Sequence, residues 1–132
     1  MPVFVDTGAW FALFVPADAD HDAARSWFEA NDQELLTTDY VLSELLTLMK
    51  YRGQFQLAVR FGDALLSQRL ARLERVTDTD LHETWIVFQR YADKEWSFVD
   101  CSSKVVMSRM GVDTAFAFDH HFEQFGTVTR VP

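Results

Sequence analysis

The chain has 132 residues, of which 48% are apolar, and it carries a net charge of −8 at pH 7. This length predicts a single domain over residues 1–132, with enough apolar side chains for a core without disulfides. No apolar run is long enough for a membrane span, and the N-terminus lacks a basic signal-peptide segment. Cys101 is the only thiol, so a reducing cytoplasm is expected. The negative charge weighs against a general nucleic-acid binder, because phosphate contacts need Lys and Arg.

Short apolar runs along the chain predict strands, and longer amphipathic segments predict helices. The predicted strands cover residues 2–5, 34–38, 71–76, 114–119 and 126–131. The predicted helices cover residues 8–15, 18–31, 39–52, 55–70, 78–93 and 97–111. Strands that alternate with helices indicate an α/β fold with a mainly parallel sheet, in which ligands bind at the carboxyl ends of the strands.

Several helix ends are marked by their residue types. Thr38 or Asp39 is expected to cap the helix over 39–52, and Gly111 to end the helix over 97–111. Asp80 and Glu83 have the spacing of a capping box at the start of the helix over 78–93.

Half of the 12 basic residues fall in one segment with few acids. They are Lys50, Arg52, Arg60, Arg69, Arg72 and Arg75. This composition is compatible with a solvated helical face or with a local basic patch on an acidic protein. Together with Lys104, these residues are the candidates for contacts with a nucleic acid.

Four carboxylates adjoin apolar segments, where acids are unusual. Asp6 directly follows the first predicted strand, and Asp119 directly follows the apolar run of the fourth. Glu44 lies on the shoulder of an apolar helical stripe, and Asp100 follows Phe98 and Val99 near the start of a helix. All four are therefore candidates for a site at one edge of the sheet.

Each acid has an ordinary explanation when taken alone. Asp6 could cap a helix, Glu44 could pair with an arginine, Asp100 could be a helix N-terminal acid, and Asp119 could form a turn. Four acids at one edge, however, would repel one another at neutral pH. A hard divalent cation such as Mg²⁺ or Mn²⁺ removes that repulsion, because it prefers oxygen ligands.

Three stretches carry a resemblance to a known family. They are "VFVDTGAWFALF" at the start, "TTDYVLSELLTLM" in the middle and "WSFVDCSSKVVMSRMGVDTAFAFDHHFEQFG" towards the end. In order and spacing they resemble a PIN domain, and within that group the VapC-type toxins of bacterial toxin–antitoxin pairs. With the helices between them, the resemblance covers essentially the whole chain.

The resemblance implies a fold, an activity and partners. It implies a three-layer α/β/α sandwich with a central parallel sheet. It implies an Mg²⁺- or Mn²⁺-dependent endoribonuclease that hydrolyses RNA by metal-activated water. It also implies a homodimer held inactive by a small antitoxin protein.

The resemblance further implies roles for individual residues. The family's acidic positions fall on Asp6, Glu44, Asp100 and Asp119. We expect Asp6, Asp100 and Asp119 to hold the metal ion, and Glu44 to complete the site by orienting a water or a second ion. Weaker candidates for support are Thr7, Ser102 and Lys104.

Three alternatives compete with this interpretation. The string "DTG" at residues 6–8 suggests an aspartic protease, but that class needs an all-β chain. A phospho-receiver domain needs a lysine after its own strand, whereas Lys104 lies one turn after Asp100 on the same predicted helix. A PIN-like module without catalysis is the third.

His120 and His121 are adjacent and should point apart, which predicts surface positions rather than a joint metal site.

Overall fold

The computed structural model describes all 132 residues as a parallel sheet covered by helices. The strands are β1 (Val3–Val5), β2 (Leu35–Thr38), β3 (Arg72–Glu74), β4 (Thr114–Phe116) and β5 (Thr129–Val131). The helices are α1 (Thr7–Phe14), α2 (His21–Ala30), α3 (Asp39–Tyr51), α4 (Phe55–Leu66), α5 (Asp78–Arg90) and α6 (Phe98–Met110). A 3₁₀ helix, His120–Phe125, lies between β4 and β5.

The five strands are arranged in the order β3-β2-β1-β4-β5, and every neighbouring pair is parallel. The expected α/β fold is confirmed, as a three-layer sandwich with helices on both sides of the sheet. β2 and β3 lie on one side of β1, and β4 and β5 lie on the other side. The boundary between β1 and β4 is therefore the switch point of the topology, where α/β sheets bind ligands.

The apolar runs that predicted the inner strands become the centre of the core. Phe4 and Val5 of β1 and Phe116 of β4 have no exposed surface. Strands buried on both faces read as continuous apolar runs, and this explains why the inner strands were visible in the sequence. One cluster of 28 buried apolar residues joins the sheet to its helices.

The helix ends follow the sequence signals with one exception. The Thr38 hydroxyl accepts a hydrogen bond from the Val41 backbone N–H at 3.1 Å, and Gly111 ends α6 with a φ of 67°. The capping box predicted for Asp80 and Glu83 is wrong. Asp80 is instead the third residue of a box with Thr77, one turn earlier, because α5 begins at Asp78.

The region after β4 differs most from the prediction. The strand expected over 114–119 ends at Phe116, and residues 120–125 form the 3₁₀ helix that was not expected. Phe122 and Phe125 are buried and hold this turn against the core. As a result, the chain turns at Asp119, at the carboxyl edge of the sheet.

No helix combines the length and the apolar character needed to cross a membrane.

Candidate metal centre

Asp6 lies directly beyond β1 at the switch point and is 5% exposed. Its backbone N–H donates to the Phe116 carbonyl at 3.1 Å, which fixes it beside β4. Asp6 occupies the N-cap position of α1, but its side chain forms no capping hydrogen bond. Its Oδ1 is buried and has no hydrogen-bond partner at all. The capping explanation therefore does not account for this acid.

The electrostatics of Asp6 link the four candidate acids. The pKa of Asp6 is raised from 3.8 to about 7, with burial as the largest cause and the charge of Asp100 as the second. The charges of Glu44 and Asp119 make smaller contributions to the same rise in pKa, while the Thr7 backbone N–H lowers it. The fold thus brings all four acids close enough for their charges to interact.

Thr7 has a second orphaned polar atom next to Asp6. Its Oγ1 is buried and has no hydrogen-bond partner. A buried hydroxyl without a partner costs about 1–3 kcal/mol, so such atoms need an explanation. Two unpartnered oxygens, on consecutive residues at a switch point, indicate a ligand that supplies the missing contacts.

Asp100 is buried in the first turn of α6. Its Oδ2 accepts a hydrogen bond from the Ser97 backbone N–H at 3.0 Å, and the Ser97 hydroxyl accepts one from the Asp100 N–H. The helix-acid explanation is therefore true for one oxygen of this carboxylate. The same Oδ2 lies 2.9 Å from Nδ1 of His121.

Asp119 begins the 3₁₀ helix, and its side chain is 43% exposed. Its Oδ1 accepts a hydrogen bond from the His121 backbone N–H at 2.9 Å, so it does form a turn. The same oxygen lies 3.2 Å from Nδ1 of His121. Asp100, Asp119 and His121 each offer one ligand atom, and these three atoms lie within 4.8 Å of one another.

His121 is therefore the residue that the sequence prediction missed. Both histidines were predicted to lie at the surface, but only His120 is exposed. Adjacent histidines are indeed poor joint ligands, but one of them alone can join carboxylates. The available signal was the Asp-x-His spacing directly after an apolar strand, at Asp119 and His121.

Glu44 is half-buried on α3 and has no basic partner. Every ion pair in the protein involves other residues. Glu44 lines an open groove of about 560 Å³ with Tyr40, Tyr51 and Val99. It is thus an uncompensated acid beside a surface that a substrate could reach.

Two of the weaker candidates point elsewhere. The Ser102 hydroxyl donates to the Val99 carbonyl at 2.6 Å, which is a bond within α6. Lys104 lines a separate groove between α5 and α6 with Asp80 and Arg109, and it forms no ion pair with Asp100.

The basic segment does not form a single patch. Arg69 and Arg72 lie near Glu34 and Leu35, at the amino end of β2 and opposite the acids. Arg75 follows β3 at the carboxyl edge, where the Val76 N–H donates to Asp39. Only part of the segment is therefore on the same side of the sheet as the acids.

The residues present fit a hard divalent cation. The donors are mainly carboxylate oxygens, which Mg²⁺ and Mn²⁺ accept, and their mutual repulsion has no arginine or lysine to balance it. Oδ1 of Asp6 is buried and has no hydrogen-bond partner, and a bound cation would supply the missing contact.

Comparison with known proteins places the chain in a family. The family model for the PIN domain matches residues 3–128. The "23S rRNA-specific endonuclease VapC20" of Mycobacterium tuberculosis is 35% identical over 130 residues, covering 98% of each chain. The crystal structure of Mycobacterium tuberculosis VapC20, a "Sarcin-Ricin loop cleaving toxin", superposes with a TM-score of 0.91 at 33% identity. It covers 98% of this chain and 99% of its own.

A more distant structure shows the same fold. FitAcB from Neisseria gonorrhoeae has a TM-score of 0.71 at 11% identity, over 100% of this chain and 97% of its own.

The predicted resemblance and the predicted enzyme class, a ribonuclease, are confirmed by the family model and the VapC20 matches, and the protease and phospho-receiver alternatives are wrong. A family model over nearly the whole length and a full-length relative agree, and the chain belongs to the PIN domain family.

Proposed function

We propose that this ribonuclease is the toxin of a type II toxin–antitoxin pair and that it cuts 23S rRNA with the help of Mg²⁺ or Mn²⁺. The observation that carries the proposal is the group of four acids at the switch point of the sheet, none of which pairs with an arginine or a lysine. The rRNA substrate is proposed from the relative that matches over its full length and is named for that activity. The whole domain, residues 1–132, is proposed to act as one unit.

The proposed site divides its work among the four acids. Asp6, Asp100 and Asp119 would hold the cation, and Glu44 would orient a water from the groove side. A bound divalent ion supplies a more acidic water and stabilises negative charge at the phosphate. The protein's own contribution is to hold the carboxylates in place and to bury Asp6 away from solvent.

Four further features belong to the proposal. Binding of a small antitoxin would keep the enzyme inactive, and the site of action would be the cytoplasm. Exposed cationic residues at the carboxyl edge, such as Arg75, are the first candidates for phosphate contacts. Thr7 would support the site through its unpartnered hydroxyl.

A homodimer is also proposed, and the exposed face of α5 supports it. Leu81, Trp85 and Phe88 recur at helical spacing and are all exposed, with Trp85 at 53%. Trp85 stacks on Phe88, with ring centroids 6.0 Å apart. A contiguous apolar stripe of this kind marks a protein contact surface. The occupant proposed is a second copy of this chain.

The dimer is tested by sedimentation of the full chain. Trp85→Glu should shift the parent's dimer to a monomer. Gln56→Glu introduces the same charge on the exposed face of α4 and should leave the dimer intact. A parent that sediments as a monomer at micromolar concentration contradicts the dimer proposal.

The activity is tested with a ribosomal RNA fragment that contains the sarcin–ricin loop. Asp6→Asn should reduce cation-dependent cleavage by at least about 10³-fold, because the variant loses one charge and one donor oxygen at the reacting centre. Asp80→Asn removes a buried acid outside the site and serves as the matched control. Cleavage by Asp6→Asn at the parent rate would refute the assignment of the site.

A further inference from the structure

The imidazole of His121 lies between two carboxylates that come from distant parts of the chain. Its Nδ1 is 2.9 Å from Oδ2 of Asp100 on α6 and 3.2 Å from Oδ1 of Asp119 after β4. Carboxylate oxygens only accept hydrogen bonds, so Nδ1 carries the proton and donates to Asp100, with the Asp119 oxygen close to the same nitrogen. His121 is 22% exposed in its side chain, which leaves it partly shielded from water.

The two oxygens that face His121 also accept backbone hydrogen bonds. Oδ2 of Asp100 accepts from the Ser97 N–H, and Oδ1 of Asp119 accepts from the His121 N–H. Oδ2 of Asp100 is therefore held by two donors, whereas Oδ1 of Asp119 is held by one and lies 3.2 Å from Nδ1 of His121. The other oxygen of each carboxylate, Oδ1 of Asp100 and Oδ2 of Asp119, has no protein donor and stays available for a cation.

We propose that His121 is a positioning residue that orients Asp100 and Asp119 for the cation through its Nδ1–H. The inference rests on the proposed cation site and specifies how that site is held together. A protonated Nδ1 directs an N–H at the carboxylates and offers them no lone pair, so through this nitrogen His121 orients the ligands and does not bind the cation.

The need for such a residue follows from where the two acids are located. Asp100 is buried and held by the N-terminal turn of α6, whereas the side chain of Asp119 is 43% exposed on a short turn. An exposed carboxylate loses rotamer freedom when it binds an ion, and this loss weakens the ion's affinity. The Nδ1–H ties Asp119 to Asp100 beforehand, and the buried Phe122 next in the chain anchors the histidine's backbone.

Isothermal titration of the full chain with Mg²⁺, and separately with Mn²⁺, tests the role of His121. His121→Leu should weaken the binding of both ions by about 10–100-fold, the usual effect of losing a residue that orients metal ligands. His121→Asn keeps an N–H near the position of Nδ1 and should remain within a few-fold of the parent. His121→Gln moves the donor outwards and should behave like the leucine variant.

His120→Leu is the matched control, because it removes the adjacent exposed histidine. It should bind both ions as the parent does. Circular dichroism without metal should show that each variant is folded, and the comparison of Asn with Gln stands even if the leucine variant does not fold.

Several results would overturn the inference. Unchanged affinity in His121→Leu and His121→Gln would show that the carboxylates need no orienting residue. A loss much larger for Mn²⁺ than for Mg²⁺ would show that His121 is itself a nitrogen ligand. A parent that binds neither ion would refute the proposed cation site as well, whereas a parent that binds while His121→Leu binds equally well refutes this inference alone.

Discussion

Two groups of acids in this protein, each containing a buried aspartate, have opposite electrostatic environments. Asp80 on α5 receives two hydrogen bonds of 2.8 Å from the Arg109 guanidinium, which also approaches Glu74. Asp6 faces Asp100, Glu44 and Asp119, and no lysine or arginine forms an ion pair with any of the four. Both Asp6 and Asp80 are almost fully buried. A buried acid with its own arginine stabilises the fold, whereas a buried acid that shares one edge of the sheet with three other acids and no cationic side chain indicates a binding site.

The pKa values of the two aspartates move in opposite directions for this reason. Burial acts to raise the pKa of Asp80, but the hydrogen bonds from Arg109 and Thr77 outweigh it and hold the pKa below 3.8. Burial and the charges of the neighbouring acids together raise the pKa of Asp6 to about 7, with burial as the largest cause. Four experiments sharpen this comparison, taken from the largest expected effect to the smallest.

The largest effect on stability should come from Asp6→Asn in the protein without metal. A pKa raised from 3.8 to about 7 means that stability falls as pH rises through that interval, by up to about 4 kcal/mol. The asparagine variant avoids this loss, so its advantage over the parent should grow from pH 5 to pH 8. Urea unfolding at several pH values measures the difference. A variant less stable than the parent at pH 8 would contradict the argument.

The second effect concerns added cation. A ligand at 100 times its dissociation constant stabilises the native state by about 2.7 kcal/mol. We expect Mg²⁺ or Mn²⁺ to raise the melting temperature of the parent and of Asp80→Asn. Asp100→Asn should lose this response, and thermal melts with and without EDTA record it. An equal rise in melting temperature in Asp100→Asn would show that the cation does not bind at the acid cluster.

The third effect concerns the compensated pair. Asp80→Asn should destabilise the protein by about 2 kcal/mol at pH 7, because charge-assisted hydrogen bonds are lost. The lowered pKa means that the parent's advantage is present above pH 3.8 and disappears as pH falls below it. Asp78→Asn, an exposed acid at the start of the same helix, is the control and should change little.

The smallest effect concerns the orphaned hydroxyl of Thr7. Thr7→Val removes a buried polar atom that has no partner, so the metal-free protein should change by less than about 1 kcal/mol or gain stability. Cation affinity should nevertheless fall if the hydroxyl supports the site. Thr84→Val is the control, because the Thr84 hydroxyl donates to the Asp80 carbonyl at 2.6 Å and its loss should destabilise the fold. Equal cation affinity in Thr7→Val and the parent would show that Thr7 does not support the site.

The parts of the site that the sequence predicted are those fixed by local pattern. Asp6 and Asp119 were found because each follows an apolar run, and a run buried on both faces must end at an edge of the sheet. Asp100 was found because it follows apolar residues at a helix start, although its capping bond with Ser97 is an ordinary feature of that helix. Their roles as metal ligands stay predictions.

The parts that the sequence could not predict depend on where distant segments meet. His121 contacts Asp100, which lies 21 positions earlier in the chain. The contact depends on a 3₁₀ helix that the pattern of apolar residues did not predict. Ser102 seemed able to support the site, but its hydroxyl bonds to the Val99 carbonyl within its own helix. The direction of a side chain on a helix depends on packing that spacing alone does not specify.

By itself, the sequence determined the alternation of strands and helices, the parallel sheet and the acids at the ends of apolar runs, because these follow from the periodicity of burial. The tertiary structure alone decided which acids remain without a counterion. Arg109 reaches Asp80 from another helix, while no arginine or lysine pairs with Asp6. Charge compensation depends on distances through space, and those distances are set only when the helices pack on the sheet.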